Sequence, residues 1–137
     1  MLGWLRGRVR ACAVVIGLVL VVAACQPTGY VYDEQGRLRG VVTSEETARY
    51  RYDAAGNITG IDRYPSDQLS IIEFSPDRGR AGTQVVIQGT AFSETLSENN
   101  VRFNGKQATV TKATVVELTV TVPSGVTTGT ISVTTPT

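Results

Sequence analysis

The 137-residue chain contains no histidine. The side chain that most often acts as general base and metal ligand near neutral pH is therefore missing. No G-x-S-x-G elbow and no glycine-rich phosphate loop takes its place. Acidic residues occur singly, as Asp33-Glu34 or as the adjacent glutamates Glu45 and Glu46, never at a spacing that would aim two carboxylates from one element into a cleft. Those two glutamates read as solvated turn charge. Arg78 and Arg80, on either side of Gly79, have the chemistry to grip a carboxylate or a sugar acid, but a solvated loop is the simpler reading. Tryptophan is limited to Trp4, so a sugar-stacking platform would have to be built from tyrosine. Basic residues are scattered rather than clustered, which argues against a nucleic-acid partner, since binding a polyanion needs grouped Lys and Arg that release counterions. The expectation is a non-catalytic protein with no catalytic residue, no cofactor and no metal site.

Long hydrophobic runs are also absent. The longest, ACAVVIGLVLVVAAC at residues 11–25, is shorter than the roughly 20 apolar residues that a membrane-spanning helix needs. Three arginines precede it in MLGWLRGRVR, with no acid among them. A basic start, a short apolar middle and small residues at the end describe an export signal, expected as a helix over residues 1–24. The last four residues, Val22, Ala23, Ala24 and Cys25, resemble the lipobox of bacterial lipoproteins. That resemblance implies signal-peptidase recognition of Val22, Ala23 and Ala24, cleavage before Cys25, and a diacylglycerol group, with palmitate among its acyl chains, on its sulfur. Cys12 leaves with the signal, so no cysteine pair remains for a disulfide.

Removing Arg6, Arg8 and Arg10 with the signal leaves ten basic against twelve acidic residues, a net charge of −2. Membrane attachment is thus expected through lipid rather than through a basic surface. Residues 25–29 form a short tether. Gln26 rather than Asp follows the cysteine, which by analogy with enterobacterial sorting favours the outer membrane.

From residue 30 onward no window has helical period. Apolar residues alternate or bunch in short β-branched runs, with Gly, Pro, Asn and Ser recurring between them, the signature of an all-β chain. YVYDEQGRLRGVV at residues 30–42 recurs as YRYDAAGNITGID at residues 50–62. In each copy a Tyr-x-Tyr strand runs into a four-residue reversal. Asp33 or Asp53 accepts hydrogen bonds from turn amides, and Gly36 or Gly56 supplies positive φ for a type I turn with a G1 bulge. Each copy is therefore a β-hairpin. Asp33 and Asp53 sit at separate turns, without the dense oxygen ligands of a calcium loop, and do not form a metal site.

The doublet resembles the YD repeat of the Rhs (rearrangement hotspot) and YD-repeat family through Tyr32, Asp33, Gly36, Arg37 and Leu38, then Tyr52, Asp53, Gly56, Asn57 and Ile58. That family winds many hairpins into a shell around a toxin. Two copies, residues 30–64, cannot enclose a chamber. A meander this small lies below the roughly 40 residues that fold unaided, so it must pack on its neighbour or stay loosely ordered.

Pro65 to Gln68 breaks the alternation and is read as a linker at residues 65–68. The remainder, residues 69–137, has Val85 and Ile87 alternating with polar neighbours, Gly89 read as a strand end before the aromatic plug Phe92, and an Asn104-Gly105 type I′ pair. Leu118, Val120 and Val122 share one strand face, and Ile131 and Val133 begin the last strand. Through GTQVVIQGTAF, VRFNGKQA, VTVPSG and GTISV this segment resembles the IPT/TIG family, which implies an immunoglobulin-like β-sandwich. Members continue into one more strand, so the sandwich is expected to lack its last strand and to leave an open edge.

The fold class is thus an all-β pair of modules behind an N-terminal signal helix. The expected function is a protein-binding or scaffolding module on the bacterial envelope, with a partner at the open edge. A polar loop containing Ser93, Glu94, Glu98, Asn99 and Asn100 offers a second contact surface. The alternative is the front part of a larger Rhs-like toxin or delivery protein.

Overall fold

The structure is a computed structural model. It describes the backbone of residues 11–16 and 19–24 and the whole of residues 29–136. Every strand pairing in it is antiparallel. The regular helical structure among these residues is a single 3-10 turn, Leu96–Glu98, and no helix is long and apolar enough to cross a membrane.

The segment read as an export signal departs from expectation over residues 11–16 and 19–24. Instead of a helix, β1 (Ala11–Ile16) and β2 (Val19–Ala24) pair from Ala11 opposite Ala24 to Ile16 opposite Val19. The physical reason lies in the valines: β-branched side chains lose χ1 freedom in a helix and sit comfortably on a pleated ribbon. Cys25 and most of the tether lie outside the described residues.

The two repeats build one four-stranded meander in the order β3 (Gly29–Tyr32), β4 (Leu38–Val42), β5 (Glu46–Tyr52) and β6 (Ile58–Pro65). A register shift next to each turn, at Tyr32 opposite Leu38 and at Tyr52 opposite Ile58, marks a bulge in both hairpins. The segment read as a linker is a tight turn bound to both sides. Ser66 donates its N–H to Glu45 O, its hydroxyl lies 2.8 Å from that of Thr47, and Thr90 Oγ1 donates to Gln68 O.

The second module is a sandwich of two sheets. One has the order β11 (Thr109–Ala113), β12 (Glu117–Thr121), β8 (Gln84–Thr90), β7 (Ser70–Ser75); the other is β10 (Lys106–Gln107), β9 (Asn100–Phe103), β13 (Ile131–Thr134). Cross-strand partners Val85 and Val120, and Ile87 and Leu118, are all buried, and they meet Val101, Phe103, Phe92 and Ala108 in one core. This is the all-β architecture expected from the alternation and the immunoglobulin-like sandwich that the family resemblance implies. Asn104 and Gly105 both have positive φ, as a type I′ pair requires.

Strand β8 ends at Thr90, one residue past Gly89. A Cβ at Gly89 would lie 2.0 Å from Ser70 O and 2.6 Å from the Phe92 ring, so the glycine is needed for close approach of β7 and of the aromatic plug.

Strand β7 joins the two modules. Its pairing with β8 shifts between Ile71 and Glu73, leaving Ile72 as the bulged residue. Ile71 lies opposite Gly89 and Phe74 opposite Ile87, so both turn toward the sandwich core despite being three residues apart. Ile72 is released to the other side, where it is 3% exposed against Val31 and Val42 of the meander. Arg39 Nε meets Glu73 Oε2 at 2.7 Å across this junction, and Ser75 Oγ donates to Glu34 Oε1 at 2.7 Å. The meander thus packs on its neighbour.

Candidate functional site

Three surfaces hold the residues singled out in the sequence. The first is the pair of hairpin turns. Asp33 O accepts from Gly36 N–H at 2.9 Å, and Asp53 O from Gly56 N–H at 3.1 Å, with φ of 78° and 89° at the two glycines. Asp33 Oδ1 accepts from the N–H groups of Gln35 and Arg37, while Oδ2 accepts from Arg37 Nε at 2.8 Å. In the second copy Asn57 takes the place of Arg37, donating its N–H to Oδ1 and its side-chain amide to Oδ2.

These contacts set the ionisation of both aspartates. Partial burial pushes the Asp33 carboxyl up, but hydrogen bonds from Arg37 and Gln35 and the Arg37 charge outweigh it and hold the group below the usual carboxylate value. Side-chain and backbone donation from Asn57 holds Asp53 below it as well. Both carboxylates are used up in their own turns. Between the two hairpins, Tyr52 of the second copy donates its hydroxyl to Leu38 O of the first, with the guanidinium groups of Arg37 and Arg39 lying 5.3 and 5.8 Å from its ring centroid. Tyr32 is exposed.

The second surface is the loop from Ser93 to Asn100. Asn99 is buried. Its Oδ1 accepts from Ser93 N–H, and its Nδ2 donates to Ser93 O and Thr95 O. Ser93 Oγ donates to Glu98 Oε2, and Asn100 Oδ1 accepts from Arg102 Nε. The polar groups that make the sequence look like a contact loop are largely spent on shaping it, and Glu94 is the member left without such a role.

The third surface is one long side of the sandwich. Strands β7 and β13 each end their sheet, and between them lies a cavity of about 730 Å³ bordered by the core side chains Phe74, Val85, Phe103, Val122 and Ile131. Arg78 and Arg80 stand on its rim. A second cavity of about 360 Å³ continues past Phe74, Gly129 and Ile131 toward Arg39 and Arg49 of the meander. Sequence reasoning placed an open edge at the last strand. It missed the arginines of the first module, because the packing of that module on β7, around Ile72 and Glu73, is not local in sequence.

Among the described residues no three metal-ligating side chains cluster. Val22, Ala23 and Ala24, which the sequence reading assigns to signal-peptidase recognition, belong to β2, and the position of Cys25 lies outside the described residues.

Comparison with known proteins gives two matches. Residues 69–137 match the family model of the IPT/TIG domain, and residues 32–66 match that of the RHS repeat. No curated protein and no solved structure matches the chain.

Proposed function

The chain belongs to the IPT/TIG domain family, and from that premise we propose that it is a non-catalytic protein-binding or scaffolding module displayed on the bacterial cell envelope. The observation that carries this reading is the long side of the sandwich, where two strand ends of sheets flank a cavity bordered by core side chains. A strand edge with unpaired N–H and C=O groups next to apolar surface is a template for pairing with another polypeptide. The anchor in this reading is lipid on Cys25, with Val22, Ala23 and Ala24 read by the signal peptidase. The tether is then only residues 25–28, since β3 starts at Gly29. Such a protein works within a few residues of the bilayer, with the outer membrane favoured by Gln26.

The test is site-specific photo-cross-linking in the native host from Ser132 on β13, with Thr111 on the far edge strand β11 as control. A discrete polypeptide adduct in the envelope fraction from Ser132 alone is expected. Adducts from both positions alike, or from neither, overturn the binding reading. Palmitate labelling that survives Cys25→Ala would overturn the anchor.

The match of residues 32–66 to the RHS repeat favours a second reading, in which the chain is the front part of a larger Rhs-type toxin or delivery protein. An in-frame continuation downstream with further Tyr-Asp repeats would favour it over the first.

A further inference from the structure

We propose that the groove between β7 and β13 binds an extended segment of another protein that alternates apolar residues and carries acidic residues at both ends. This rests on the protein-binding reading above and specifies the chemistry of the partner.

The backbone comes first. Asn104 N–H donates to Thr130 O at 2.8 Å, and in the antiparallel ladder of β9 and β13 Ile131 stands opposite Phe103 and Ser132 opposite Arg102. Hydrogen-bonded and non-bonded pairs alternate along such a ladder. With Asn104 and Thr130 bonded, Ser132 and Arg102 form the next bonded pair. The N–H and C=O groups of Ile131 and Val133 therefore face away from β9, toward the groove. Sheet edges that stay single are commonly blunted by a charge, a proline or a bulge. Residues 131–134, Ile-Ser-Val-Thr, carry no charge and no proline, and their register against β9 is unbroken.

The walls come second. A strand laid beside β13 sends every other side chain inward. There it meets Phe74, Val85, Phe103 and Val122, apolar side chains from both sheets. Alternating apolar residues fit that surface, and polar ones would be left without partners.

Charge fixes the ends. The larger cavity carries Arg78 and Arg80, and the smaller carries Arg39 and Arg49. Glu73 holds Arg39 at 2.7 Å and Asp77 lies 4.0 Å from Arg78. Among the described residues Arg49 and Arg80 have no ion-pair partner. One unmatched guanidinium thus stands in each half of the groove, and a carboxylate at each end of the ligand answers it. A second copy pairing through its own β13 does not, because residues 127–136 contain no acid and the two arginine rims would face each other.

The experiment measures fluorescence anisotropy of labelled peptides titrated with the full chain. The probe alternates valine and threonine between paired terminal glutamates. Its controls have lysine ends, scrambled order, or N-methyl groups on alternate residues. Saturable binding of the glutamate-ended peptide is expected. It should weaken about tenfold with lysine ends, a change of about 1.4 kcal/mol, and be lost on scrambling or N-methylation. Arg80 is exposed, and Arg80→Glu should abolish the preference between the two kinds of end, because Arg49 still favours an acid at the other end. Equal binding of glutamate- and lysine-ended peptides overturns the acidic partner while leaving edge pairing standing. Equal binding of the N-methylated peptide overturns edge pairing itself. No peptide binding, together with a dimer in sedimentation analysis that Arg80→Glu does not weaken, makes a second copy the occupant and overturns the proposal. No peptide binding by a monomeric chain overturns it too.

Discussion

The meander and the sandwich are both antiparallel β-structure, yet they are held together by different means. The sandwich buries Ile87, Val101, Leu118 and Val120 completely. The meander buries little beyond Val31, Val42, Thr47 and Ala48, and leaves Tyr30, Tyr32, Ile58 and Ile61 between 45% and 59% exposed. Its local order comes from turn chemistry repeated at Asp33 and Asp53, and its buried apolar cluster is completed by a residue borrowed from the other module, Ile72. A small sheet can thus be specified by its turns and still depend on a neighbour for its core.

That contrast can be broken from either side. The largest effect is expected from Leu118→Ala, which opens a cavity where exposure is 0%. A cost of about 2–5 kcal/mol is typical of such a change. The meander should melt together with the sandwich, because β7 belongs to both. Circular dichroism during urea unfolding checks this, with a single transition expected. Next comes Gly40→Val. Even a Cβ at Gly40 would lie 2.8 Å from Ile72 Cγ2, so overpacking should cost about 1–3 kcal/mol. Hydrogen exchange should then rise in residues 29–52 while β8 and β12 stay protected. A smaller, local effect is expected from Asp33→Ala, which deprives the N–H groups of Gln35 and Arg37 of their acceptor. Faster exchange at those two amides is the readout, with the Asp53 turn unchanged as internal control.

The smallest effect is a pH dependence. Both aspartates titrate below their ordinary value in the folded chain. Their contribution is therefore complete above the unfolded-state value of about 3.9 and is lost as pH falls through the lower folded-state value. Asp33→Asn and Asp53→Asn together should flatten the decline in melting temperature below about pH 4. Melting curves between neutral and acidic pH provide the check.

The same contrast explains what the sequence could disclose. Hairpin turns are local: Asp, Gly and the residue after Gly lie within five positions, so their spacing reports the structure directly. The sandwich core was legible for a related reason, since alternation at Val85 and Ile87 or at Leu118 and Val120 marks one face of a strand. The bulge at Ile72 was not, because the Ile71-Ile72 pair in Leu-Ser-Ile-Ile-Glu-Phe breaks the alternation without saying which isoleucine leaves the core face. With the bulge went the junction between modules and the arginines that Arg39 and Arg49 add to the groove. The close approach that Gly89 permits was hidden because Ser70 meets it only in three dimensions. Asn99 looked like a surface ligand because an inward-turned amide and an outward-turned one have the same letter. The segment of residues 11–24 was read by its length and its flanks, whereas its valines favour strands.

The central claim is that β7 serves two cores at once, facing the sandwich with Ile71 and Phe74 and the meander with Ile72. Site-resolved hydrogen exchange of Ile72→Ala against the unaltered chain tests it most directly. Protection should fall selectively in β3, β4 and β5 and persist in β8, β9 and β12. Unchanged protection in the meander, or equal loss in both modules, would contradict it.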